Sequence, residues 1–558
     1  MKNLSSYKIQ NTEEDFIMPE ETLMDNVSGH GVVEMSISQG VFRTVYALIF
    51  VLLAVLAVQA FRLQVVQGKR LAAIVEESQY HRYPVPSVRG KIFDRNGIVL
   101  ADNTAAYDLV GYDNEKGVHV IKRDVPADTD VLPGQYLAPY VRRNYPLGSA
   151  TAHVLGYTSQ MTADELREYP DANINERKGR LGIEAQYDAT LRGEPHTVIL
   201  DSNIPQQPIR HGADLMLTIN AKAQQRLYEI TNQVFRSGGV KRGAAVVQNV
   251  NTGEVLAMVS LPTFDPGNIT EKILQDKNHP LFNRTIGGLY APGSTIKPLL
   301  AMAGLKEHVV DEHTKIFAEG AIQVQSEVDP SVYYTFRDWK VHGWTDIRKA
   351  IADSVDIFFY ALGGGYEDIH GLGIDMMEKY LKLARADQPT GIDLPGEATG
   401  FVPSRAWKKE TKNDAWYVGD SYNLSIGQGD LQVTPLWLNA YVSAIANGGK
   451  LMKPHLVKTE PEIAYTLPFS KATFDVVREG MRQAVTDGTA QLLNDLHVVV
   501  AAKTGTAQVT GRGLNSLFIV YGPYEDADIA MTILVENIPQ SQSLAVKVAD
   551  EFLIWYFK

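Results

Sequence analysis

Ala291-Pro-Gly-Ser-Thr-Ile-Lys-Pro298 reads as a turn that feeds a helix. Pro298 is tolerated in a helix only within its first turn, so the helix must begin close to Ser294, with Pro292-Gly293 as the turn ahead of it. Ser294 and Lys297 then share one helical face, with Cβ atoms roughly 5–6 Å apart. A hydroxyl beside an amine suits a serine nucleophile served by a lysine base, provided burial and neighbouring cations keep the amine neutral. The spacing alone is a weak signal, because Ser5-Ser-Tyr-Lys8 repeats it in an acidic stretch without apolar pattern. Specificity comes from a second element, Lys503-Thr-Gly-Thr506, which follows the apolar run Val498-Val-Val-Ala-Ala502. There Gly505 would let a substrate backbone approach closely, while the Thr504 and Thr506 hydroxyls and the Lys503 charge would receive a carboxylate.

Around these motifs, residues 216–558 read as one large α/β domain. Residues 221–236 have helical periodicity, 243–250 and 254–260 form a hairpin around Asn251-Thr-Gly253, and 498–502, 517–521 and 529–535 are buried-strand runs before an apolar helix over 544–557. Strands at both ends of the domain with helices between predict an antiparallel sheet covered by helices, an α+β fold. Residues 62–215 read as a mixed, strand-rich region without catalytic chemistry. In it Arg89-Gly-Lys-Ile-Phe-Asp-Arg-Asn-Gly97 predicts a hairpin whose Asn96-Gly97 supplies positive φ, and 179–193 places Ile183, Tyr187 and Leu191 on one helical face.

The chain has 558 residues, 45% hydrophobic and 21% charged, with a formal charge of −12. That length allows two or three domains, and the acidic balance gives no footprint for nucleic acid. The absence of cysteine removes disulfides, thiolate metal sites and cysteine nucleophiles. No HExxH or GxxxxGK[ST] run occurs, so zinc-hydrolase and phosphate-loop chemistry have no motif.

Residues 1–40 carry seven acids against Lys2 and Lys8 and read as a disordered tail. Between Val45 and Phe61 the only strongly polar residue is Gln59, and as a helix 41–61 would be roughly 31 Å long, enough for one bilayer crossing. A core helix would show a polar face, and a signal peptide would have a short basic leader, so a membrane anchor is expected. Its flanks are Arg43 before and Arg62, Lys69 and Arg70 after; alone, these charges would put the carboxyl side in the cytoplasm.

A serine-x-x-lysine at a helix start about 200 residues before Lys-Thr-Gly at a strand end is the pairing found in penicillin-recognising enzymes. Together with Arg89–Gly97, Gly179–Gly193, Thr390-Gly-Ile-Asp-Leu-Pro-Gly396 and Ile426-Gly-Gln-Gly429 before Thr434-Pro435, the chain resembles the class B penicillin-binding proteins from anchor to C-terminus. Ser354-Val-Asp-Ile-Phe-Phe-Tyr360 and Trp416-Tyr-Val-Gly-Asp420 are most similar to the elongation-type subgroup. The resemblance implies a tail (1–40), an anchor (41–61), a non-catalytic pedestal (62–215) and a transpeptidase domain (216–558). It further implies a single-pass protein of the bacterial cell membrane, with the catalytic domain outside.

Carried over, the resemblance implies that Ser294 attacks the penultimate D-Ala carbonyl of a peptidoglycan stem peptide while Lys297 takes its proton. The N–H groups of Ser294 and Thr506 would form the oxyanion hole, and Lys503, Thr504 and Thr506 would hold the carboxylate that β-lactams mimic. Ser354 would bridge Lys297 and Lys503, with Asp356 at the edge of the substrate cleft in place of the family's asparagine. Ser421-Tyr-Asn423 matches Ser-x-Asn literally, but its setting lacks a catalytic serine in relatives. Asp338 and His342 lie where elongation-type relatives can hold a metal; without cysteine they are read as structural, with no cofactor expected. The expected partners are a SEDS-type glycosyltransferase and membrane proteins of the elongation complex, although the pedestal is short for such docking. A β-lactam hydrolase or sensor, or a catalytically silent scaffold, are the competing readings, and neither hydrolase nor sensor accounts for the pedestal motifs.

Overall fold

The computed structural model describes residues 39–71, 82–113, 117–169, 172–200, 210–326, 329–509, 513–538 and 543–558. Most of the expected acidic tail lies outside them. Met1–Tyr80 and His81–Lys558 separate as two units. In the first, helix α1 (Gln39–Phe61) continues into a π-helical turn at Arg62–Val66 and buries none of its side chains. This helix, apolar apart from residues such as Arg43 and Gln59, has the length and composition needed to cross a membrane.

In the second unit, β1 (Ile92–Phe93) pairs with the start of β2 (Val99–Asp113), and β2 continues against β3 (Gly117–Val125) and β4 (Gln135–Asn144). The turn between β1 and β2 takes positive φ only at Gly97, not at Asn96. The reason is Asp94: its carboxylate accepts from Asn96 N and Ile98 N, both at 2.8 Å, and holds the turn as an Asx-type loop. The same carboxylate accepts from Ala221 N at 3.0 Å, so this turn also satisfies the first N–H of α2 (Ala221–Ser237). The 179–193 stretch forms two short helices, Gly182–Gln186 and Asp188–Leu191, rather than one. Ile183, Leu191 and the partly buried Tyr187 still reach one core, shared with Leu217, Val246 and Leu436.

Arg89 is buried and forked onto Glu184 and Asp188, each at 2.8 Å, and Arg143 reaches the other Glu184 oxygen at 2.6 Å. The two pedestal motifs are thus joined by a buried ionic knot. Glu184→Ala would leave the buried Arg143 guanidinium without a carboxylate and Arg89 with Asp188 alone, and is expected to cost about 3–5 kcal/mol. The urea midpoint of the variant measures this; a loss within about 0.5 kcal/mol, the range of an ordinary surface substitution, would contradict the assignment.

Next come β5 (Leu215–Met216), parallel to β1, and the hairpin β6 (Gly243–Asn249) and β7 (Val255–Leu261). Helix α3 (Lys297–Lys306) follows a 3-10 turn at Gly293–Ile296. After it come α4 (Asp356–Gly364), α5 (Pro435–Ala446) and α6 (Lys471–Thr486). The chain ends with β8 (Ala501–Val509), β9 (Gly513–Gly522), β10 (Ile529–Ile538) and α7 (Leu544–Tyr556).

The five long strands form one antiparallel sheet in the order β7-β6-β10-β9-β8. Its strands read as continuous apolar runs because both faces are buried. Leu517, Ile519 and Tyr521 point into the core with α3, α4 and α5, while Phe518 and Val520 point into the core with α2 and α7. Lys503-Thr-Gly-Thr506 does not end a strand, as its sequence suggested. It lies within β8, paired with β9 from Ala501↔Tyr521 to Val509↔Gly513. Polar residues persist there because β8 is the edge strand and its outer side faces the serine turn.

Candidate active site

Ser294 sits in the 3-10 turn and Lys297 opens α3, with Pro298 in the first helical turn where its missing N–H costs nothing. In a 3-10 turn residues three apart eclipse, which aligns the two side chains. Ser294 is half-buried, and among the described residues none hydrogen-bonds to its hydroxyl.

Three glycines let the motifs meet. Gly293 has φ +55°, and a Cβ there would stand 2.6 Å from the Thr506 carbonyl oxygen. A Cβ on Gly427, φ +72°, would stand 2.2 Å from the Gly293 carbonyl oxygen, and Gly293 N donates to Gly427 O at 2.9 Å. A Cβ on Gly505 would meet Thr295 Cγ2 at 2.8 Å and Pro292 O at 3.0 Å. The space Gly505 leaves is therefore filled by the serine turn, so the glycine serves the approach of the two motifs rather than that of a ligand.

Lys297 is fully buried. Its Nζ donates to Ser354 O at 2.8 Å and Asp356 Oδ1 at 2.6 Å, with Ser354 Oγ at 3.4 Å, and it lies 5.1 Å from the centre of the Phe359 ring. Asp356 is thus the counter-ion of Lys297, in the short range of charge-assisted bonds, and its side chain remains partly exposed. Ser354 adopts φ +59°, a left-handed conformation that costs a serine roughly 1–2 kcal/mol and turns its carbonyl onto the lysine. The structure brings Ser354 to Lys297 through both oxygens, and its bond to the lysine is mainly through the carbonyl.

Lys503 is also fully buried and donates to Thr504 O at 2.8 Å. Burial pushes its amine well below the ordinary lysine range, the Lys297 charge pushes the same way, and Asp356 and Asp353 oppose them. The Thr504 hydroxyl bonds Thr489 Oγ1 at 2.7 Å, and Thr506 is exposed, its carbonyl accepting from Gln428 Nε2 at 3.3 Å. Thr489 was not singled out from sequence, and Gln428 only as part of Ile426-Gly-Gln-Gly429. Asp487-Gly-Thr489 was the available signal: a Cβ on Gly488 would stand 2.3 Å from Ala352 O, which is how Thr489 comes to lie between the Ser354 turn and β8.

Ser421 lies elsewhere. It is buried inside the helix Val418–Ser425, where its Oγ accepts from Trp416 Nε1 at 2.9 Å, and it bonds neither lysine.

Asp338 Oδ2 accepts from Ile357 N at 3.1 Å, at the start of α4. His342 stands between Asp338, 3.5 Å from Nε2, and Asp353, 3.7 Å from Nδ1, and neither ring nitrogen makes a hydrogen bond. Burial lowers the imidazole pKa, against the pull of Asp338; burial and then Asp356 raise that of Asp338. The two carboxylates face opposite ring nitrogens, so these donors do not converge on one ion, and among the described residues no group of three or more His, Asp or Glu is arranged to hold a metal.

The chain matches the family model of the penicillin binding protein transpeptidase domain over residues 243–553 and that of the penicillin-binding protein dimerisation domain over 114–211. The peptidoglycan D,D-transpeptidase MrdA of Acinetobacter baumannii is 29% identical, over 94% of this chain and 88% of its own. A crystal structure of Pseudomonas aeruginosa PBP2 in complex with WCK 5153 is 31% identical with a TM-score of 0.68, covering 86% of this chain and 97% of that one. PBP2 of Helicobacter pylori, in complex with MreC, is 26% identical with a TM-score of 0.72, covering 85% of this chain and 98% of that one. With a transpeptidase match over residues 243–553, more than half its length, and Ser294, the buried Lys297 and Lys503, and Ser354 all within that stretch, the chain belongs to the penicillin-binding proteins, in the elongation-type branch of class B.

Proposed function

We propose that this protein is a peptidoglycan D,D-transpeptidase that cross-links stem peptides through a serine acyl-enzyme during cell elongation, and that β-lactams inhibit it by acylating the same serine. The observation that carries the reading is the pair of fully buried lysines, Lys297 and Lys503, near the turn that carries the half-buried Ser294, whose hydroxyl has no hydrogen-bond partner among the described residues. Ser294 Oγ attacks the penultimate D-Ala carbonyl, its proton passes to Lys297, and the C–N bond breaks as terminal D-Ala leaves with a proton. Asp356, 2.6 Å from Lys297 Nζ, holds that amine in place beside the serine turn. An amine of a neighbouring stem then attacks the ester carbonyl, its proton passing to Lys297 as the new amide forms, and the freed Ser294 oxygen takes that proton back. The N–H groups of Ser294 and Thr506 stabilise the oxyanion, each typically worth about 10²–10³ in rate. Lys503, Thr504 and Thr506 receive the terminal carboxylate, which restores a counter-charge to the buried amine.

The test is a cross-linking assay with the full chain, a donor stem peptide and an acceptor amine. The expected products are D-Ala and a new amide between the two peptides. Release of D-Ala without transfer to any amine would favour a hydrolase, and no reaction at all a scaffold.

We assign residues 62–215 to the pedestal and 216–558 to catalysis; the two family matches fall on either side of that boundary. The pedestal is the surface for the glycosyltransferase of SEDS type and for elongation-complex membrane proteins; the MreC complex of the Helicobacter relative supports this. The anchor sets the N-terminus in the cytoplasm and the catalytic domain outside, where the substrate lies. Large domains translocate despite basic flanks. Protease added to spheroplasts is therefore expected to digest residues beyond the anchor and spare the N-terminal tail; the opposite pattern would sink the topology.

A further inference from the structure

Away from the serine, a polar cavity of about 190 Å³ opens among the pedestal strands. Arg123 of β3, Arg142 and Arg143 of β4 and Arg177 of the short strand Arg177–Gly179 line it, together with Asp108 and Asp124. Pro266 and Gly267, from the loop after β7, line it as well. That loop is held on the pedestal by Phe264, whose ring meets those of His153 and Tyr157 edge-on, with centroids 5.2 and 6.0 Å away. The volume is well above the ~10–15 Å³ that one water needs, so a polyatomic ligand has room.

Three of the four guanidinium groups have a carboxylate. Arg123 Nη1 reaches Asp108 at 3.1 Å, Arg142 Nη1 stands 3.8 Å from Asp124, and Arg143 Nε reaches Glu184 at 2.6 Å. Arg143 is 7% exposed, and its Nη2 has no hydrogen-bond partner among the described residues. Arg177 differs from all three. Its Nε donates to Thr158 Oγ1 at 3.2 Å and its Nη2 to Thr158 O at 2.7 Å, and among the described residues no carboxylate pairs with its guanidinium. The adjacent Glu176 carboxylate is committed to Ser87 N, Ser87 Oγ and the Arg177 backbone N–H. Burial lowers the Arg177 pKa; Tyr145 and Tyr140 oppose this, while the charges of Arg89 and Arg123 add to it. A guanidinium drawn out of water beside like charges lacks a counter-charge that an entering anion would supply. The Arg123 and Arg142 side chains are 50% and 61% exposed, so such an anion can arrive from solvent past them.

The donors come from three different strands. A carboxylate has two oxygens in one plane and is served by a single guanidinium fork, whereas a phosphate carries about two charges and three or more strong acceptor oxygens that several guanidinium groups can share. We propose that this pedestal cavity is a binding site for a phosphate group, with Arg177 as its principal partner.

The full chain in detergent is dialysed to equilibrium against radiolabelled inorganic phosphate, with acetate at matched ionic strength as competitor. Saturable binding that acetate does not displace is expected. Arg177→Ala should weaken it by roughly 10–100-fold, the range of a hydrogen bond to a charged group. Arg177→Lys should weaken it less, because the charge remains while the guanidinium fork is lost. Thermal melting reports whether each variant is folded, and Arg177→Lys carries the test if Arg177→Ala does not fold. Two further competitors separate the sources of the phosphate: glycerol 3-phosphate stands for a soluble monoester and a short-chain phosphatidic acid for a lipid headgroup. Stronger displacement by the first assigns a soluble ligand and by the second a lipid, and either result supports the site. No saturable binding, displacement by acetate as readily as by the esters, failure of both esters to displace, or an affinity unchanged in the folded Arg177 variants overturns it.

Discussion

Ser294→Ala is expected to abolish acylation by labelled penicillin, and in the unaltered protein the label should map to the peptide containing Ser294. Lys297→Ala should slow acylation by about 10²–10⁴, the usual worth of a general base. The geometry makes the two variants informative together. Lys297 Nζ is enclosed by Ser354 O, Asp356 Oδ1 and the Phe359 ring. Ser294 lies in the 3-10 turn that leads directly into Lys297, three residues ahead of that amine. Label on another peptide would refute the nucleophile assignment, and a Lys297→Ala protein acylating at the unaltered rate would remove the lysine from the mechanism.

Ser354→Ala should slow acylation by at least about 10², within the range of a group that assists proton transfer, while Ser421→Ala should leave the rate nearly unchanged. The two serines compete for the same role on sequence and are separated by their surroundings. Ser354 presents both oxygens to Lys297, whereas Ser421 is committed to Trp416 Nε1. Ser354→Gly provides a sharper control. Glycine takes the left-handed φ of +59° without penalty, so this variant should melt no lower than the unaltered protein while still acylating slowly. If Ser354→Gly acylates normally, the hydroxyl has no chemical role and the residue only turns its carbonyl onto Lys297. A large loss in Ser421→Ala with none in Ser354→Ala would reverse the assignment.

The helix Ala221–Ser237, the hairpin Gly243–Leu261 and the last two strands were legible because each writes its own periodicity or apolar run into consecutive residues. Asp94 and Arg89 were harder. Their motif could be recognised, but their partners at Ala221, Glu184 and Asp188 are 95 or more residues away, and no local pattern points to them. The β8 strand was misjudged at its end for a related reason. Its polar residues look like a turn until the sheet order shows that β8 is an edge with the serine turn on its outer side.

By itself the sequence determined the one-turn spacing of Ser294 and Lys297, the apolar anchor and the antiparallel sheet under helices, since each follows from backbone geometry over a few neighbouring residues. Only the tertiary structure decided that Asp356 is the partner of Lys297 and that Ser354, not Ser421, faces it. It also decided that Thr489 joins Thr504 and that Gly293, Gly427 and Gly505 are glycines because three backbones touch there. Those outcomes depend on closing loops of tens to hundreds of residues onto one sheet edge, and the side chains that meet across such loops share no register along the chain.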